Sequence, residues 1–266
     1  MQKIAILGAG WLGWSLAQHL AVRGNTVRVS TTRATKREQL AADGFLAYQL
    51  TVMPEGITGE TGDFFAVDTL IVTLPPGGRR DPAGAIHYPQ KVRHIITAAR
   101  AQGVQQLLFT SSTGVYGNPA GVVDETSSLQ PETASGRALV QVEKDLRAAF
   151  GEGVTILRLA GLVGGERQPG RWFAGKEAVS GGDVRVNLVH RDDVIRAVER
   201  VLAQGCWGKL LNICADQHPI KADFYPAAAE RLGLEPPTFT RDGQTGKIVD
   251  NSLSKQLLGM AYDWNP

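Results

Sequence analysis

The chain has 266 residues, 43% of them hydrophobic, with 28 Lys and Arg against 26 Asp and Glu and a formal net charge of +2. That length holds one large α/β domain, or one domain with a smaller appendage, and the apolar share is enough for a real core. The basic residues are scattered, which argues against nucleic acid as a partner, and no stretch of roughly 18 consecutive apolar residues suggests a membrane segment. Cys206 and Cys214 sit in neither a C-x-x-C nor a Cys/His metal spacing, so two reduced thiols and no metal are expected. The N-terminus reads as a strand rather than a signal segment, and a cytoplasmic protein is the expectation.

Residues 3–7 read as a short buried strand, in which Ile4, Ala5, Ile6 and Leu7 form an unbroken apolar run, and Gly8-Ala9-Gly10-Trp11-Leu12-Gly13 follows at once. A helical pattern then opens through Leu12, Leu16, Ala17 and Leu20 and stops at Gly24-Asn25. Strand, G-x-G-x-x-G, helix is the order a dinucleotide needs. Gly8 allows the tight turn, Gly10 lets the backbone approach a pyrophosphate, and Gly13 lets helix and strand pack closely. The helix N-terminus, at Trp11 and Leu12, then points free N–H groups at the phosphates. The alternative is a glycine turn that binds nothing.

A second strand, 26–30, ends where an Asp or Glu, about 20 residues past the glycines, would accept the ribose hydroxyl of NAD. Ser30, Thr31, Thr32 and Arg33 stand there instead, with Lys36 and Arg37 behind them. Hydroxyls and a guanidinium suit a 2′-phosphate, so NADP is preferred over NAD. Thr35 is also a candidate N-cap for a helix over 36–42 that Gly44 ends. Residues 45–50 read as a third strand and 54–63 as a surface stretch. Residues 68–74 form a strong strand bounded by Pro75-Pro76-Gly77-Gly78, a loop that puts Leu74 and Pro75 beside the cofactor. Helices over 88–102 and 133–150 alternate with strands over 106–110 and 154–159. The expected fold is α/β: a doubly wound parallel sheet of Rossmann type.

Beyond residue 160 the rhythm breaks. Short strands are expected at 184–189 and 210–213, helices at 192–203 and 224–232, and a strand-turn-helix at 248–258. The domain reading is a nucleotide-binding unit over 1–160 and a small mixed lobe over 161–266, with about 184–213 returning to the main unit. A substrate cleft between them is expected.

Four segments in order resemble the extended short-chain dehydrogenase/reductase superfamily, of the NAD(P)-dependent epimerase/dehydratase type. Thr110-Ser111-Ser112-Thr113-Gly114-Val115-Tyr116-Gly117 is similar to its S-S-x-x-V-Y-G segment, and Arg158 through Gly164 to its R-x-x-x-x-x-G. Val189-His190-Arg191-Asp192-Asp193-Val194 resembles V-H-x-x-D-V, and Leu211-Asn212-Ile213 the Y-N-I/V strand. Two departures matter. Leu7 replaces the first glycine of G-x-x-G-x-x-G. The helix that carries Y-x-x-x-K in the family, with a Glu four residues on, here runs from Ser135 through Leu139 to Glu143. Ser135 therefore stands where the Tyr belongs and Leu139 where the Lys belongs, a pattern similar to the atypical members.

A phenol of pKa ~10 can be tuned towards neutrality by a nearby Lys, whereas a Ser hydroxyl is a far weaker acid. Positioned acid–base groups contribute roughly 10²–10⁴-fold, so the loss is costly unless another group substitutes. Ser112 matches the family's Ser that hydrogen-bonds the reacting oxygen. Tyr116 and Ser135 are the other catalytic candidates; Arg137 is a candidate for the missing charge, and His87 and Tyr88 for facing the nicotinamide. Leu139 with Val142, Leu146 and Ala149 forms an apolar stripe and also reads as core. Arg171-Trp172-Phe173 reads as a substrate contact or a hydrophobic anchor. The resemblance implies an oxidoreductase or epimerase acting on a sugar nucleotide or another small polar substrate, and by analogy a homodimer. The other reading is a non-catalytic NADP-binding sensor or scaffold.

Overall fold

The computed structural model describes residues 1–77 and 82–266; Gly78, at the end of the expected loop, lies outside the described residues. The first half alternates as the apolar runs dictate: β1 (Lys3–Leu7), α1 (Trp11–Val22), β2 (Thr26–Thr31), α2 (Ala34–Ala42), β3 (Leu46–Met53), β4 (Gly56–Gly59) and β5 (Thr69–Val72). There follow α3 (Pro82–Ile86), α4 (Tyr88–Ala101), β6 (Gln106–Ser112), β7 (Gly121–Val123), α5 (Ala134–Phe150) and β8 (Val154–Leu159). The remainder comprises β9 (Gly161–Val163), β10 (Leu188–His190), α6 (Arg191–Gln204), β11 (Leu210–Ile213), α7 (Lys221–Glu230), β12 (Lys247–Val249) and α8 (Ser252–Leu258).

Among the described residues one eight-stranded sheet runs in the order β11-β8-β6-β5-β1-β2-β3-β4. Every pairing in it is parallel except β3 with β4. The order reverses at β1, whose two neighbours are β2 and β5. β5 and β8 are buried along their whole length, as strands covered on both faces must be. Leu16, Ala17 and Leu20 of α1 and Val92, Ile95 and Ala99 of α4 supply apolar faces to that core.

A second, smaller core gathers Val163, Val186, Leu188, Phe224, Tyr225 and Ala228, with Trp172, Phe173, Phe239 and Trp264 packed on it. Two-stranded sheets β9–β10 and β7–β12 lie beside the main sheet. The chain then returns: β11 joins the main sheet, and Leu258, Met260 and Tyr262 belong to the large core.

Four local expectations are corrected. The surface stretch 54–63 contains β4, because Gly56 and Gly59 turn the chain back antiparallel onto β3. Thr35 lies inside α2 rather than capping it; Arg33 takes the cap position without a side-chain cap bond, and Thr31 Oγ1 accepts the Arg33 N–H at 3.3 Å. Only the end of the 184–189 segment is strand. α7 starts before Phe224, since Lys221 and Asp223 form a polar first turn.

Candidate functional site

A cleft of about 490 Å³ opens at the carboxyl ends of β1, β2, β3 and β5, where the strand order reverses and a ligand crevice is expected. Gly8 and Gly10 line it from the first turn; Ser30, Thr31, Thr32 and Arg33 from the end of β2 and the residues after it, and Lys36 from α2; Leu50, Thr51 and Val52 from β3; and Leu74 and Pro75 from the loop after β5. Tyr88, Lys91 and Ile95 close the side formed by α4.

The glycines of the turn have different reasons to be there. A Cβ at Gly8, whose φ is +105°, would meet Leu74 Cδ2 at 2.8 Å. One at Gly13 would lie 2.1 Å from the Gly8 carbonyl oxygen. Both are demanded by the chain's own packing. A Cβ at Gly10 would meet nothing closer than 4.0 Å. Folding does not require a glycine there; a ligand approaching the backbone would. The first-turn N–H groups of α1 have no intrahelical partner by helix geometry, and no side chain caps them. A nicotinamide dinucleotide therefore fits: the diphosphate on this turn, the adenosine half towards β2 and β3.

The turn is held rigidly. Ser30 Oγ accepts the Gly8 N–H at 3.0 Å and the Ser30 carbonyl accepts the Ala9 N–H at 2.7 Å. Thr73 Oγ1 donates to the Gly8 carbonyl at 2.8 Å, and Lys36 Nζ donates to that of Ala9. Ser30 is thus committed to the turn, while Thr32 and Arg33 are exposed in the cleft. Burial, and then the Arg33 charge beside it, hold the Lys36 ammonium below its ordinary range. Among the described residues neither Arg33 nor Lys36 has a carboxylate within 4.0 Å; the nearby Glu60 pairs with Arg37.

The sequence candidates for chemistry separate into three groups. Ser112 is half-buried at the end of β6; its Oγ accepts the Gly114 N–H at 3.0 Å, which leaves its own O–H free to donate. Lys247, not singled out in the sequence, steadies the turn behind Ser112 by donating to the carbonyls of Thr113, at 2.8 Å, and Gly117. Ser135 is committed elsewhere, donating to the Gly77 carbonyl at 2.9 Å and so tying α5 to the loop after β5. Leu139 is core, 4% exposed.

Tyr116 has no access to a substrate. It is fully buried, donates to Asn212 Oδ1 at 2.7 Å and accepts from Arg158 Nη1 at 2.9 Å, and burial pushes its phenol above the ordinary range. Arg158 in turn forks onto Glu143, with Nη2 at 2.6 Å from Oε2, and Ser111 Oγ donates to the same carboxylate at 2.5 Å. Arg137 spends its guanidinium on the carbonyls of Glu132 and Pro131. Tyr88 is in the cleft wall, but its hydroxyl donates to the Leu74 carbonyl at 2.6 Å. His190 caps α6, accepting the Asp192 N–H at 3.3 Å. Trp172 and Phe173 pack against Tyr225 and anchor the second lobe. The sequence did not single out the β3 wall, Lys91 or Ile95, because nothing local marks a strand end or a helix face as lining a cleft. Among the described residues no cluster of His, Cys, Asp or Glu could hold a metal ion, and no helix is long and apolar enough to cross a membrane.

Fold, crevice and glycine turn together define an epimerase-type Rossmann protein built for a nicotinamide dinucleotide. The chain belongs to the NAD dependent epimerase/dehydratase family, whose sequence model matches residues 4–214. It is 43% identical over 269 aligned positions to Protein YeeZ of Escherichia coli (strain K12), covering 99% of this chain and 97% of that one. Its fold is also similar to UDP-glucose 4-epimerase of Thermotoga maritima solved with UDP-glucose, with a TM-score of 0.79 at 20% identity over 99% of this chain and 94% of that one. UDP-glucuronic acid 4-epimerase of Bacillus cereus, in complex with NAD, gives a TM-score of 0.79 at 17% identity over 99% and 92% of the two chains.

Proposed function

We propose that the chain binds NADP(H) in preference to NAD(H) and works as an oxidoreductase or epimerase on a small polar substrate, a sugar nucleotide being the leading class. The observation that carries the cofactor choice is the pair of cations at the end of β2. Arg33 and Lys36 crowd each other beside exposed Thr32, with no carboxylate to balance them and none to bind a free ribose hydroxyl. A 2′-phosphate supplies the missing negative charge. Nicotinamide would exchange hydride; Ser112 would donate its free O–H to the substrate oxygen. The sugar-nucleotide class is supported by the UDP-sugar ligands and substrates of the structural neighbours.

Binding of NADPH and NADH by the wild type and by Arg33→Ala tests the cofactor choice. Tighter NADPH binding that Arg33→Ala abolishes is expected; equal affinities unaffected by the substitution would overturn it. Screening candidate sugar nucleotides with NADP tests the chemistry: turnover lost in Ser112→Ala is expected, and turnover that survives it removes Ser112 from the site. A second reading, a cofactor-binding sensor or scaffold without chemistry, is favoured by one observation: Leu139 is buried where the family carries its Lys. It predicts tight NADPH binding with no turnover on any substrate.

A further inference from the structure

Trp11 is the first residue of α1, at the turn where the diphosphate is expected, and two arginines from distant parts of the chain converge on its ring. The Arg167 guanidinium carbon lies 4.4 Å from the ring centroid and that of Arg191 lies 5.1 Å from it. Stacking on an indole is favourable for one guanidinium. Bringing two there is not explained by stacking, because they repel each other and both face the positive end of α1, whose first turn contains no acidic residue. The chain supplies little compensation. Among the described residues Arg167 has neither a carboxylate within 4.0 Å nor a hydrogen-bond partner for its side chain. Arg191 reaches only Asp192, with Nε 3.4 Å from Oδ1, and that carboxylate is largely exposed.

The loop that brings Arg167 is built to hold this arrangement. Gly164 and Arg167 exchange backbone hydrogen bonds, at 3.2 and 3.0 Å, closing a tight turn. Gly164 has a φ of +121°, and a Cβ on it would collide with His190 Nε2 at 2.5 Å. Gly165 has a φ of +51°, and a Cβ there would sit 3.6 Å from Arg191 Nη1 and 3.8 Å from Trp11 Nε1. The glycine pair therefore lays the turn directly on Arg191 and the indole.

We propose that Arg167 and Arg191 form a clamp on the diphosphate of the bound dinucleotide, reaching it across Trp11 while the α1 amides hold it from below. Guanidiniums grip phosphate oxygens with two charge-assisted hydrogen bonds each, and a diphosphate relieves the repulsion among them. The clamp rests on the dinucleotide reading and extends it: residues contributed after β8, the sheet's sixth parallel strand in chain order, would make cofactor binding depend on the packing of the second lobe. The arginines thus differ in task from Arg33 and Lys36, which the proposed function assigns to the 2′-phosphate of the adenosine ribose.

The test is calorimetric titration of the wild type, Arg167→Ala, Arg191→Ala and Arg167→Lys with NADPH, and with adenosine 2′-monophosphate, which has the 2′-phosphate but no 5′-phosphate to enter the clamp. Each alanine variant should weaken NADPH roughly tenfold and leave the monophosphate within about twofold, with Arg167→Lys between. Arg167 is exposed and unbonded, so its variants keep the fold should Arg191→Ala not. NADPH bound equally by wild type and Arg167→Ala overturns the clamp while leaving the dinucleotide reading intact. Equal weakening of NADPH and the monophosphate also overturns it. A wild type that binds neither compound overturns the dinucleotide reading itself.

Discussion

Inside the molecule, Ser111, Tyr116, Glu143, Arg158 and Asn212 form a polar network in which the charges are matched: Arg158 forks onto Glu143, and the phenol is bonded on both sides. In the cleft Arg33 and Lys36, and beside the first turn Arg167 over Trp11, have no acidic partner among the described residues. The contrast separates two uses of polar residues. A buried ion pair left half-made is severely costly, so the interior network is complete without any guest. The cleft can leave its positive groups unbalanced because solvent screens them until an anion arrives. Four of the network's five residues come from segments that resemble the family, and the fifth, Glu143, stands in its catalytic helix. What the chain shares most visibly with the family is therefore scaffold, while the resemblance puts Ser135 and Leu139 at its Tyr and Lys positions.

Breaking the interior network should have the largest effect. Arg158→Met strands the Glu143 carboxylate and is expected to cost about 3–5 kcal/mol of stability, read as a large fall in Tm. Cofactor affinity in whatever fraction remains folded should be little altered. The glycine turn sharpens the comparison within three residues. Gly13→Ala forces a Cβ onto the Gly8 carbonyl and should lower Tm by several degrees. Gly10→Ala meets open space, so its Tm should stay close to wild type, yet NADPH affinity should fall roughly a hundredfold, about 2.7 kcal/mol. Equal Tm losses in the two variants would mean that Gly10 too is a packing residue. The smallest effect concerns pH. Because burial and Arg33 depress the Lys36 pKa, raising the pH discharges this ammonium earlier than an ordinary lysine. NADPH affinity should therefore decline at alkaline pH more than NADH affinity does, and Lys36→Arg, which stays charged, should remove the difference.

The sheet and its helices were legible because their signals are local. Apolar runs give strands, a period near 3.6 gives helices, and the first turn announces itself by glycine spacing. The three-residue strands β7 and β9 were not legible, whereas β12 falls at the start of the strand-turn-helix expected over 248–258. The first two carry no periodicity of their own, and β7 finds β12 only because the fold brings Val122 beside Ile248. The same limit applies to the site. Ser30 to Arg33 could be placed in the cleft by counting from the glycines. That Ser30 would be spent on the Gly8 amide, or that Arg167 and Arg191 would meet on Trp11, depends on contacts between residues far apart in sequence. Tyr116 illustrates the same limit: a phenol near Ser112 in sequence points into the core, where Arg158 and Asn212 bond it.

The most direct measurement is a titration of the purified chain with NADPH and, separately, with NADH, followed by calorimetry and by thermal shift. Saturable binding of both, with NADPH tighter by roughly tenfold or about 1.4 kcal/mol, is the expected result. No heat and no change in Tm with either nucleotide would contradict the assignment of the first turn as a diphosphate cradle, and with it every role given to the cations around it.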